Sequence, residues 1–202
     1  PVTRGRLRRS RVYFLILSLA ALTLYGWTAV TYAFPGVSAA WIAWTAGLDV
    51  REVPTHPLLA LLGQWVAEVP YFSLALRLNL IAVVAGALTV GLVYKIVWFV
   101  IFEMMREESA VTNASRNALF GGSVAALAVA VSLPVWQAAT RFRPEIFDVA
   151  FLLACLHLLT VYARSQKVVW LLLFGVLYGA GVAESPLFIV AAPVAVAFAV
   201  IV

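Results

Sequence analysis

Residues 34–79 read FPGVSAAWIAWTAGLDVREVPTHPLLALLGQWVAEVPYFSLALRLN, and long apolar runs flank them on both sides. The stretch is too short for a separate soluble domain and too apolar for a solvated loop. It holds three of the chain's seven tryptophans and a group of ionisable side chains, Asp49, Arg51, Glu52, His56, Glu68 and Arg77. Two short helices are expected inside it. Residues 37–46 are apolar on nearly every face and stop at Gly47, glycine being a common helix stop. Trp41 and Trp44 suit the headgroup level of a bilayer. Pro57 can open the second helix at its first position, and Pro70 closes it after Val69. Its Leu58, Leu61, Leu62, Trp65 and Val69 form one stripe, with Gln64 and Glu68 one turn apart on another. A helix lying in the interface plane has that pattern. The polar linker LDVREVPTH joins the two.

Beyond this stretch, the chain of 202 residues is 64% hydrophobic and 11% charged, with a mean hydropathy of +1.01. Soluble domains carry roughly 25% charged residues, so the chain reads as an integral membrane protein. Its apolar runs approach or reach the ~20 residues that a helix needs to cross a bilayer. The alternating short segments of a membrane barrel are absent. The expected fold is all-α, a polytopic transmembrane helix bundle with spans at residues 12–33, 80–102, 118–139, 146–163, 168–183 and 187–202. The last two are short, and one broken helical hairpin is the alternative for them. Residues 1–202 then form a single transmembrane domain, with a basic tail at 1–11 and an outer loop at 34–79. The chain begins at Pro1 and stops within the apolar VAVAFAVIV, so it is expected to be the N-terminal part of a longer protein.

The formal charge of +5 does not point to nucleic acid. Five of the fourteen basic residues, Arg4, Arg6, Arg8, Arg9 and Arg11, precede the first apolar run. They make a positive-inside anchor that can also touch anionic lipid headgroups. That run continues past Ala20-Ala21 to Ala33, longer than the core of a cleaved signal, so the span is read as retained. With the tail inside, Arg106, Arg116, Arg164 and Lys167 fall inside too, and Arg51, Arg77, Arg141 and Arg143 fall outside. Lys95 lies near enough to the inner end of its span to snorkel. Cys155, the only cysteine, excludes an internal disulfide.

This topology gathers Asp49, Glu52, His56, Glu68, Arg77, Arg141, Arg143, Glu145, Asp148 and Glu184 on the outer side. Charges must sit in loops, and that alone accounts for most of them. Arg141 and Arg143 stand against the positive-inside bias in a very short connection, and paired guanidiniums suit a lipid phosphate or diphosphate. Arg77, at the outer start of the second span, can join them. Glu145 and Asp148 follow Pro144 at the start of the fourth span, where acids complement the helix dipole. Dipole capping is their leading explanation and catalysis the second. Asp49 or Glu52 can act as a general base on an acceptor hydroxyl, and His56 can do the same or hold a phosphate. His157, in mid-span, reads as a hydrogen-bonded bundle residue, and Gly175 and Gly179 as points of close helix packing. No Cys/His metal spacing, Walker loop or nucleophile elbow is present, and no metal is expected.

The order of features resembles the GT-C glycosyltransferases, and within them a bacterial branch of membrane proteins related to protein O-mannosyltransferases. The resemblance rests on Ser38 to Gly47, His56-Pro57-Leu58, Leu61-Leu62-Gly63 and Arg77-Leu78-Asn79, in that order. Trp136-Gln137-Ala138, Glu145-Ile146-Phe147, Gly179-Ala180-Gly181 and Glu184 extend it over most of the chain. Where that family carries an acidic element after the first span, this chain reads PGVSAA at 35–40, without a carboxylate. The resemblance implies a sugar donor carried on polyprenyl phosphate and bound by Arg77, Arg141 and Arg143. Asp49 or Glu52 would be the base and His56 would position the phosphate. It also implies residence in a bacterial cytoplasmic membrane with the N-terminus cytoplasmic, lipids as surroundings, and other membrane subunits as partners. Two functions stay open: a transferase module working on the outer face, or a non-catalytic scaffold or accessory subunit of a larger membrane complex. A transporter is a distant third.

Overall fold

The computed structural model describes residues 4–48, 56–105 and 111–201. The regular structure there is entirely helical. It comprises α1 (Arg4–Thr28), α2 (Val37–Thr45), α3 (Pro57–Ala67), α4 (Leu74–Met105), α5 (Val111–Val131), α6 (Leu133–Ala139), α7 (Pro144–Ser165), α8 (Val168–Glu184) and α9 (Pro186–Ile201). Among the described residues four helices are long and apolar enough to cross a membrane: α1 over Arg9–Thr28, α4, α5 over Thr112–Val131, and α7. The pair expected to be short, α8 and α9, has 17 and 16 residues.

α4 is the axis. Its 32 residues run about 48 Å at 1.5 Å per residue, more than the ~30 Å hydrocarbon layer. It touches α1, α2, α3, α5, α6 and α7. Close approach depends on small side chains along it, among them Ala82, Ala85, Gly86, Ala87 and Gly91. A Cβ on Gly91 would strike Ser18 and lie 2.6 Å from the Phe14 ring; one on Gly86 would strike Ala139. Gly175 and Gly179 behave otherwise than expected: among the described residues nothing lies within 4 Å of where their Cβ atoms would be. They sit on an open part of α8, and the tight contact there is Gly181 against the Phe188 ring of α9.

The third expected span divides. α5 stops at Val131 and α6 begins at Leu133 with Pro134 at its start. Proline has no N–H and its ring collides with the carbonyl four residues back, here that of Ala130. The Tyr25 hydroxyl of α1 donates to that carbonyl at 2.9 Å. The break is thereby satisfied by a neighbouring helix, the usual condition for such a break at membrane depth.

The short helices follow the sequence closely. α2 ends as expected at Gly47, whose φ is 71°. Gly47 N–H donates to Trp44 O and Leu48 N–H to Ala43 O, both at 2.9 Å, the paired bonds of a Schellman stop. α3 turns Leu61 and Trp65 outward, Trp65 being 62% exposed, and buries Leu59, Ala60 and Gly63. A small core of Ile42, Leu59, Leu78 and Phe142 holds α2, α3, α4 and the α6–α7 turn together.

Candidate functional site

The polar side chains of the α2–α3 end are held by that core. Asn79, in the second turn of α4, is fully buried. Its Nδ2 donates to Val30 O at 2.5 Å, and its Oδ1 accepts from Phe142 N at 2.7 Å. One amide thus joins the chain after α1 to the turn before α7. Arg77 lies two residues before Asn79, and Arg141 and Arg143 flank Phe142.

His56 is the residue just before α3. Its Nε2 lies 3.2 Å from Oδ2 of Asp148 in α7, and its ring meets Trp41 edge-on at 5.9 Å. Asp148 is 6% exposed, and its Oδ1 is buried with no hydrogen-bond partner among the described residues. A carboxylate oxygen without a donor, beside a histidine that fixes its twin, is a free acceptor held in place. Glu145 lies one turn earlier, in the first turn of α7, where an acid offsets the helix dipole. Its Oε1 accepts from Arg143 Nη2 at 2.6 Å. Asp148 is spent on His56 instead.

Glu184, at the end of α8, is 1% exposed. Its two oxygens accept from the N–H groups of Leu58 and Leu59 at 2.6 and 3.0 Å. These are among the orphan donors of the first turn of α3. A charge-assisted cap from a residue 126 positions away closes that turn.

The three arginines differ in their engagements. Arg77 Nη1 donates to the carbonyls of Val66, Ala67 and Val69, closing the C-terminal end of α3. Arg141 stacks its guanidinium on the Phe34 ring at 3.4 Å. Arg143 pairs with Glu145. All three share one property: the Nε–H is buried without an acceptor among the described residues. Asp49 and Glu52, the expected bases, lie outside the described residues. Glu68 is at the C-cap of α3.

Of these groups, Arg77 lines an apolar cavity of about 850 Å³ between α3, α4 and α7, with Val66, Ile81, Leu88, Phe147 and Phe151 among its walls. Phe147 precedes Asp148, so cavity and carboxylate are on adjacent positions of α7. Among the described residues no group of three or more His, Cys, Asp and Glu side chains is gathered as a metal ion would need. Sequence reading named the residues of this end but could not pair them. His56 with Asp148, Glu184 with α3, and Asn79 with Phe142 are long-range contacts that no local spacing reveals.

Residues 38–202 match one family model, described as the protein O-mannosyl-transferase TMEM260 N-terminal domain. No curated protein and no solved structure matches the chain.

Proposed function

We propose, from the premise that this chain belongs to the family of the protein O-mannosyl-transferase TMEM260 N-terminal domain, that it is the membrane module of a glycosyltransferase of GT-C type. The donor is a sugar on polyprenyl phosphate, mannose being the sugar that the family's description suggests. One observation carries the reading: Arg77, whose buried Nε–H has no acceptor among the described residues, lines an apolar cavity, and the Nε–H groups of Arg141 and Arg143 and the Oδ1 of the His56-paired Asp148 are buried without partners among the same residues. The cavity is sized for a prenyl chain and the guanidiniums are suited to its phosphate. Asp148 is the base among the described residues, with His56 orienting it; Asp49 or Glu52 fills that role if Asp148 does not. In the transfer, an acceptor oxygen attacks the anomeric carbon as its proton passes to the carboxylate. The bond from carbon to phosphate oxygen breaks, and the lipid phosphate leaves with the electron pair. The chemistry is expected on the outer or lumenal face.

A second reading, a non-catalytic scaffold or accessory subunit, is favoured by another observation. Arg77, Arg143, Glu145 and Glu184 all have partners within the chain. The test is sugar transfer from polyprenyl-phosphate mannose by the full chain in membranes. Asp148→Asn should lower turnover about 100-fold or more, and Glu145→Gln should leave it within about threefold. Full activity of Asp148→Asn would move the base to Asp49 or Glu52, each tested as its amide. An inactive wild type that binds no polyprenyl phosphate would leave the scaffold reading standing.

A further inference from the structure

At the other end of the bundle, away from α2 and α3, a cavity of about 600 Å³ is lined by four cationic side chains: Arg11 of α1, Lys95 of α4, Arg164 of α7, and Lys167 just after it. Among the described residues no carboxylate lines it; Arg164 Nη2 lies 4.0 Å from Glu103 Oε1. Like charges around a space walled by apolar helices raise one another's energy. The general excess of cations on the inner side explains exposed residues such as Arg116. It does not explain Lys95, which lies ten residues, or about 15 Å, inside the end of α4.

The donors of this cavity outnumber its acceptors. Lys95 Nζ donates to Ser10 Oγ at 3.1 Å and lies over the rings of Phe14 and Tyr94. An ammonium has three N–H donors, and Ser10 is the acceptor among the described residues. Trp98 also lines the cavity; it is 2% exposed, and its indole N–H has no acceptor among the described residues. Arg164 stacks over the Trp98 and Phe99 rings, which fixes its guanidinium at the cavity wall. Phe14 and Trp170 complete an aromatic surround.

We propose that this cavity binds the phosphate of an anionic membrane lipid. A phosphate brings several acceptor oxygens and negative charge together, which meets both deficits at once. The lipid, rather than free phosphate, is indicated by surroundings. The cavity lies at the end of membrane-crossing helices, beside outward-facing Leu15 and Ile16 of α1 where acyl chains would run. Basic pockets between spanning helices hold lipid headgroups by the same chemistry. The site is independent of the groups at the α2–α3 end.

The test is native mass spectrometry of the full chain released from detergent, titrated with phosphatidylglycerol, phosphatidylcholine or inorganic phosphate. Phosphatidylglycerol is expected to stay bound and to raise the melting temperature by several degrees. Lys95→Gln and Arg164→Gln should each weaken its retention about tenfold, while Arg116→Gln, an exposed cation at the same end, should not. A Lys95→Gln protein that keeps its helical circular dichroism and its lipid would overturn the proposal. So would equal loss in Arg116→Gln, which means diffuse surface charge, or equal binding of inorganic phosphate, which means a free-anion site.

Discussion

Asn79 is the residue on which the α2–α3 end turns, because one side chain serves a carbonyl from one connection and an N–H from another. Asn79→Ala would leave Val30 O and Phe142 N–H buried without partners, at a cost of about 2–4 kcal/mol in total. Asn79→Asp keeps the acceptor for Phe142 but sets a buried carboxylate oxygen against Val30 O, and should cost at least as much as Ala. Thermal unfolding in detergent checks both, and a loss under about 0.5 kcal/mol for Ala would show that the link is incidental. Glu184 is the second such residue. Glu184→Gln retains one acceptor for the α3 turn and should lose less stability than Glu184→Ala, which leaves two donors uncapped. Neither role was legible in the sequence. A polar residue at the edge of an apolar run looks the same whether it meets water or a backbone group from across the fold.

At the scale of elements, the turn chemistry was legible and the tertiary breaks were not. Gly47 and Pro57 act locally, so the end of α2 and the start of α3 could be read directly. Pro134 was equally visible, yet an apolar run with one proline can continue as a single span or divide. Tyr25, 105 positions from Ala130, decides between these by serving the carbonyl that the proline frees. This gives a double-mutant cycle. Tyr25→Phe alone should cost about 1–2 kcal/mol, because Ala130 O loses its donor. In a Pro134→Ala background the restored N–H can serve the same carbonyl, and the Tyr25→Phe cost should shrink markedly. Additive losses would mean that the two sites are not coupled. Gly175 and Gly179 illustrate the opposite limit: glycines on a spanning helix suggested close packing, but spacing alone does not say which face meets a neighbour.

For the molecule as a whole, the all-helical architecture followed from composition, since apolar runs of this length leave few ways to satisfy backbone hydrogen bonds in lipid. The orientation rests on charge. A cytoplasmic basic tail, as the charge pattern proposes, would put the α2–α3 end on the opposite side. A membrane-impermeant maleimide should then label Tyr71→Cys but not Ser165→Cys in right-side-out vesicles. The native Cys155 is fully buried and should stay silent in both. Labelling of both positions, or only of Ser165→Cys, would reject that orientation.

The carboxylate cap of α3 also has a consequence in time. A ribosome supplies the first turn of α3 long before it supplies Glu184, 126 positions later than Leu58. During that interval two amide groups near the membrane surface have no permanent acceptor. The helix that follows His56 can therefore gain this cap only once Glu184 has been made, so in the order of synthesis α8 completes the stretch between α1 and α4.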